Sequence, residues 1–230
     1  MMIARIRILL VAILLGGPAA IPFSAKAGET QGPLMGRIVD SVSQRLDYGL
    51  EVMVESEQWF QDTKPTFLHY EIMPQLIWHY SPRYDFAIGY ERDETYGVDE
   101  MGNDTIDRAN QGWASMTVKI PLKDWYFSSR QQFQGGIGDS EGEIYTFRHL
   151  VRAEYRKPFL PLKITPFVSN EYFLNLREGD IAENRFTVGL LYPFNKAVSV
   201  ELFGMRDDTW MPDGNSMVSP VVGMNVKVSF

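Results

Sequence analysis

The chain has 230 residues, 45% of them hydrophobic and 13% aromatic, with no cysteine and a formal net charge of −7. Without cysteine there is neither a disulfide frame nor a thiolate metal site, and an acidic chain has no electrostatic hold on nucleic acid. After the N-terminal region no apolar run reaches the roughly eighteen residues that a membrane-crossing helix needs.

The chain opens "MMIARIRILLVAILLGGPAAIPFSAKA". Arg5 and Arg7 precede a short apolar core, Ile8 to Leu15, and Ala25-Lys26-Ala27 supplies a small-x-small cleavage site. That order predicts a cleaved signal peptide over residues 1–27. Removing Arg5, Arg7 and Lys26 leaves 19 basic against 29 acidic residues in the exported chain. About two hundred residues suit one domain. Residues 28–43 read as a short periplasmic segment, with a helix-like amphipathic stretch around Leu34 to Val42, and residues 44–230 as a β-barrel.

From residue 44 onward nearly every segment alternates apolar and polar residues with the period of a strand. "LDYGLEVMVESEQW" sets Leu46, Tyr48, Leu50, Val52 and Val54 against Asp47, Gly49, Glu51 and Glu55. The same alternation runs through "TFLHYEIMPQLIWHY", "YDFAIGYERDE", "QGWASMTVKIPL", "DWYFSSRQQFQG", "IYTFRHLVRAEYRK", "KITPFVSNEYFLN", "NRFTVGLLYPF", "AVSVELFGM" and "SPVVGMNVKVSF". Ten antiparallel strands are predicted. Their connections differ by end: "SPR", "PLKD", "KPFLPLK" and "PFNKA" look short, while "GVDEMGNDTIDRANQ", "GGIGDSEGE", "REGDIAEN" and "DDTWMPDGNS" look long and acidic.

Alternation alone fits a soluble barrel with an apolar inside or a membrane barrel with an apolar outside. The aromatics favour the second. Trp78, Tyr80, Tyr84, Trp125, Phe127, Tyr145, Tyr155, Tyr192 and Phe194 gather toward strand ends, as in the aromatic girdles of outer-membrane barrels. Together with the signal peptide and the loop asymmetry they predict an all-β, up-and-down, antiparallel transmembrane β-barrel in the outer membrane of a Gram-negative cell. Both termini are expected in the periplasm and the long loops outside. The final strand, closing on Phe230, resembles the assembly signal that outer-membrane proteins present to the barrel-assembly machinery. That machinery, membrane lipid and lipopolysaccharide are the expected partners.

A more specific resemblance lies in "FRHLVRAEYRKPF", "KITPFVSNEYFLN", "ENRFTVGLLYPF" and "VSVELFGM". Arg148 and Arg152 on one strand face, Asn170-Glu171 before an aromatic, and Asn184-Arg185 leading to Gly189 and Tyr192 resemble the DUF2490 family of bacterial outer-membrane proteins. The resemblance implies fold and location; the family brings no assigned chemistry.

If the apolar face meets lipid, the other face fills the interior. It carries Glu51, Glu55, Glu71, Arg130, Arg148, Arg152, Glu171, Arg185 and Glu201, which must pair across a narrow lumen because unpaired buried charge is costly. A structural, salt-bridged core or a narrow polar pore follows. His69 and Glu71, two apart on one face, with Glu51 or Glu55 on the neighbouring strand, form a weak metal-ligand pattern; no metal or cofactor is expected. His79 and Ser81 read as a turn-proximal pair. By parity Ser129, Gln131 and His149 point outward, and polar groups on a lipid face invite a functional reading. Ser129 beside His149 is the minimum for a nucleophile and its base. The alternative function is therefore an outer-membrane acyl hydrolase acting on lipid A or phospholipid, with the pair lacking an evident third member.

Overall fold

The computed structural model describes residues 29–61, 64–98, 104–140, 142–157, 163–211 and 215–230. The expected signal peptide lies outside the described residues. Twelve strands follow one another: β1 Glu29–Gln31, β2 Met35–Arg45, β3 Leu50–Gln61, β4 Lys64–Ser81, β5 Tyr84–Val98, β6 Asp104–Pro121, β7 Trp125–Gly138, β8 Gly142–Tyr155, β9 Thr165–Asn175, β10 Asp180–Pro193, β11 Val198–Trp210 and β12 Ser216–Ser229. No α-helix occurs among the described residues.

Strands β2 to β12 pair in sequence order, each antiparallel to the next, and β12 then pairs with β2 in parallel to close the barrel. The tiny β1 lies in line with β2 on the same edge of β12, also parallel. Eleven strands, mixed in direction, replace the ten antiparallel ones predicted. The additional strand is the stretch that looked helical. In β2, Val39, Ser41 and Ser43 are buried while Val42 is exposed, a period of two that the nine residues Leu34 to Val42 were too few to separate from a helical one. Because the number is odd, Glu29 and Phe230 lie at opposite ends of the barrel. The segment expected as periplasmic, residues 28–43, contributes β1 and most of β2 to the wall, so Glu29 and Phe230 do not share one side.

The loop asymmetry is also corrected. "GVDEMGNDTIDRANQ" is mostly strand, since β5 runs to Val98 and β6 begins at Asp104. Charged side chains sustain the ladder there: Arg92 and Arg108 both reach Glu94, at 2.9 and 3.3 Å. At the end expected to carry only short turns, β8 ends at Tyr155 and β9 begins only at Thr165. What distinguishes the ends is that hairpins such as β5–β6 project beyond the apolar band.

Burial is inverted relative to a water-soluble protein. Outward side chains are apolar and exposed: Ile88 60%, Val188 51%, Leu202 57% and Val222 58%. Inward ones are polar and buried, among them Glu57, Glu91, Gln132 and Gln134. On β5 the outward row reads Tyr84, Phe86, Ile88, Tyr90 and then turns to Arg92 and Glu94, marking one edge of the band. At the other edge aromatic rings meet, with Trp78 5.1 Å from Tyr80 and Trp125 5.0 Å from Tyr155, centroid to centroid.

A small apolar cluster sits inside, formed by Trp59, Phe167, Phe203, Met205 and Val221. Its rings need room on a concave wall. Phe167 lies opposite Gly189, and Phe203 opposite Gly223; a Cβ at either glycine would come within 2.5 and 2.2 Å of the ring. The C-terminus is held to the seam: the Phe230 N–H donates to the Ser43 carbonyl at 2.9 Å, and the Arg45 N–H donates to the Phe230 carbonyl at 3.2 Å.

Candidate functional site

Because side chains alternate along every strand, the inward rows of eleven strands converge in the lumen. Arg37 on β2 donates to Glu57 on β3 through Nε, at 2.7 Å, and through a second nitrogen. The indole N–H of Trp59 donates to the same carboxylate at 2.5 Å. Across the barrel Glu171 on β9 accepts from Arg130 at 2.9 Å and from Arg148 at 3.2 Å. Arg152 forms a two-pronged pair with Glu201, at 2.7 and 3.1 Å, and also reaches Glu154 at 3.0 Å. Arg185 pairs with Glu183 and lies 3.9 Å from Asp207. Arg37, Glu57, Arg130, Arg148, Arg152, Glu171, Arg185 and Glu201 line a cavity of about 190 Å³, together with Glu55 and Glu71.

Arginine suits this place better than lysine would. Its planar, weakly hydrated guanidinium both forks onto carboxylates and stacks on rings. Arg152 lies 3.8 Å from the Phe167 centroid, Arg148 4.5 Å from Phe173, and Arg185 5.0 Å from Trp59. Each cation is thus held by a carboxylate at its edge and an aromatic ring at its face. Arg37, Glu57 and Asp207 belong to the network but escaped the sequence reading. Parity along "EVMVESEQW" places Glu57 inward with Glu51 and Glu55; Arg37 was hidden by the helical reading of its segment.

Glu51 belongs to a separate group nearer the C-terminal end. His79 Nε2 lies 2.9 Å from Glu51 Oε2 and its Nδ1 2.9 Å from Asp85 Oδ1. Lys119 meets Asp85 at 2.5 Å, and Arg45 and Lys227 approach Glu51 at 3.7 and 3.8 Å. Ser81 does not face His79; its oxygen accepts the N–H groups of Arg83 and Tyr84, capping the β4–β5 turn. Neither Glu51 nor Glu55 completes a ligand set with His69 and Glu71. The third group there is Asp93 on β5.

Ser129, Gln131 and His149 lie on the outer wall. Ser129 Oγ is 2.9 Å from His149 Nε2, and His149 Nδ1 is 2.9 Å from the Tyr172 hydroxyl. Gln131 donates to Ser129 at 2.7 Å. With Ser129 donating to Nε2, Nδ1 carries the imidazole proton and donates to Tyr172. Tyr172 is the third member that the sequence did not reveal, because only the β8–β9 register brings it opposite His149. Beyond it on the same face Asn170 donates to Asn184 at 2.9 Å. A row of polar side chains thus crosses β7 to β10 between Trp125 and Phe133, each with a partner.

No curated protein matches the chain. The family model described as "Protein of unknown function (DUF2490)" matches residues 39–218, from β2 to the start of β12. Arg148, Arg152, Asn170, Glu171, Asn184 and Arg185 fall within that span, and the chain belongs to the DUF2490 family.

Proposed function

We propose that the protein is an integral outer-membrane barrel whose lumen is sealed by ion pairs, with a structural role or, at most, that of a minor narrow pore. The single observation that carries this is the inverted burial of a closed barrel. A continuous apolar belt is far larger than the few hundred Å² a water-facing monomer tolerates, and it suits hydrocarbon, where only helices or edge-free barrels satisfy their backbone. The polar interior is the complement of that wall. Export by the N-terminal signal peptide, assembly through the Phe230 strand, and contact with membrane lipid and lipopolysaccharide complete the proposal. The C-terminal end faces the periplasm and the β5–β6 hairpin projects outside.

Planar-bilayer recording distinguishes plug from pore. Purified protein should give no resolved steady current, because Arg37, Arg148, Arg152 and Arg185 and their partners occupy the cross-section. A reproducible conductance that disappears when Arg148 and Arg152 are both enlarged to tryptophan would make the lumen a conducting path and retire the sealed barrel.

An acyl-hydrolase role has one observation in its favour, the hydrogen-bonded row Ser129–His149–Tyr172 on the outer wall. Nucleophile and base are within reach of each other. Against it, Ser129 is only 3% exposed, it lies four residues from Trp125 and four from Phe133, and the surrounding N–H groups are engaged in the β6–β7 and β7–β8 ladders, leaving none to stabilise an oxyanion. The row satisfies itself. Folded protein should therefore release no fatty acid from phospholipid or lipopolysaccharide; release that Ser129→Ala abolishes would establish the enzyme instead.

A further inference from the structure

We propose that His69, Glu71 and Asp93 bind one divalent transition-metal ion of the zinc class inside the barrel, between β4 and β5 on the side of the projecting hairpin. His69 and Glu71 are two apart on the inward face of β4, and Asp93 is the direct cross-strand partner of Glu71. One donor atom from each lies within 4.8 Å of the other two. Donors sharing a tetrahedral ion at about 2.0–2.2 Å sit about 3.3–3.6 Å apart, within the 4.8 Å that bounds the three here.

Three independent features point to a ligand rather than to a closed hydrogen-bond cluster. Asp93 is 9% exposed, yet its Oδ1 has no hydrogen-bond partner. Its other oxygen accepts from Gln111 Nε2 at 3.1 Å, which fixes the carboxylate and leaves Oδ1 free to coordinate. Thr95, opposite His69 on β5, holds His69 Nδ1 at 2.9 Å, so that Nε2 faces Glu71 Oε1 at 2.5 Å. A second group that orients a histidine through its far nitrogen is the usual companion of a metal ligand. The two carboxylates also lack a contacting arginine or lysine among the described residues. Among the described residues His69 is the only ion-pair partner within 4.0 Å of Glu71, and Asp93 has none.

The group around His79 shows what a satisfied cluster looks like. Its two carboxylates lie on opposite ring nitrogens, so they cannot share an ion with the ring, and Lys119, Arg45 and Lys227 already neutralise them. One imidazole with two carboxylates selects zinc, manganese, iron(II), cobalt or nickel over calcium, with water completing the shell. The site stands apart from the sealed-lumen proposal, since it requires only the folded barrel.

The test uses the folded barrel in detergent, stripped with chelator. Titrating zinc by calorimetry should give one site per chain. Asp93→Asn and His69→Ala should each weaken it at least tenfold, and His79→Ala should leave it unchanged. A wild-type readout guards against variants that fail to fold: saturating zinc should protect His69, but not His79, from diethyl pyrocarbonate, as mapped by mass spectrometry. Absence of stoichiometric zinc binding, unchanged affinity in both site variants, or equal modification of His69 with and without zinc would each overturn the proposal.

Discussion

Replacing Glu171 with alanine should destabilise the folded barrel by about 3–5 kcal/mol, the usual consequence of stranding a buried charge. Glu171 is the shared acceptor of Arg130 and Arg148, and among the described residues Arg148 has only Glu91, at 3.9 Å, as another carboxylate. Without Glu171 two cations face each other in a lumen too narrow to hydrate them fully. The midpoint of urea unfolding in vesicles measures the loss, and heat-modifiable mobility on gels gives a coarser check. Converting Glu171 to leucine and Arg148 to methionine together should recover only part of it: apolar side chains of similar volume often match or better a buried ion pair, but Arg130 still loses its carboxylate. A single Glu171→Ala variant as stable as the parent would mean that water, not Glu171, solvates the arginines.

The second large effect is expected at the closing seam. Gly223→Val should cost roughly 1–3 kcal/mol or more by overpacking. The new Cβ would sit 2.2 Å from the Phe203 ring and 2.7 Å from the Arg37 carbonyl on β2. Rotating the ring relieves the first contact only. The second is backbone, and it belongs to the parallel β12–β2 pairing that makes the sheet a barrel. Cutting Phe203 to alanine in the same chain should therefore rescue stability incompletely. Full rescue would show that the ring, not the seam, bears the strain. The readout is again unfolding in urea, with refolding yield beside it.

The division of residues between wall and lumen was legible from alternation, since a strand's faces follow parity once its direction is known. Arg148, Arg152, Glu171 and Glu201 face inward and Ser129 and His149 outward for that reason alone. What alternation could not supply was register. Asp93 opposite Glu71, and Tyr172 opposite His149, depend on which residue of one strand meets which of the next, and no pattern within a single strand encodes that. Strand count failed where a segment was short: in Leu34 to Val42, Ile38, Val39 and Val42 fit a helical stripe as well as a strand. Loop length failed for a physical reason. Beyond the apolar band both faces of a hairpin are polar, so the two-fold contrast that marks a strand vanishes while its hydrogen bonds continue, as in Arg92 to Val98.

The most direct test of the central claim, that the apolar wall meets lipid, exploits the absence of cysteine. Single cysteines carrying a nitroxide are placed at Val188 and Leu202 on the wall, at Thr187 in the lumen, and at Arg92 on the projecting hairpin, and the protein is reconstituted in vesicles. At Val188 and Leu202 collisions with dissolved oxygen should dominate over those with a water-soluble nickel chelate; at Arg92 the chelate should dominate, and at Thr187 oxygen should lose the advantage it has one residue away. Nickel chelate reaching Val188 and Leu202 as freely as Arg92 would contradict the membrane barrel.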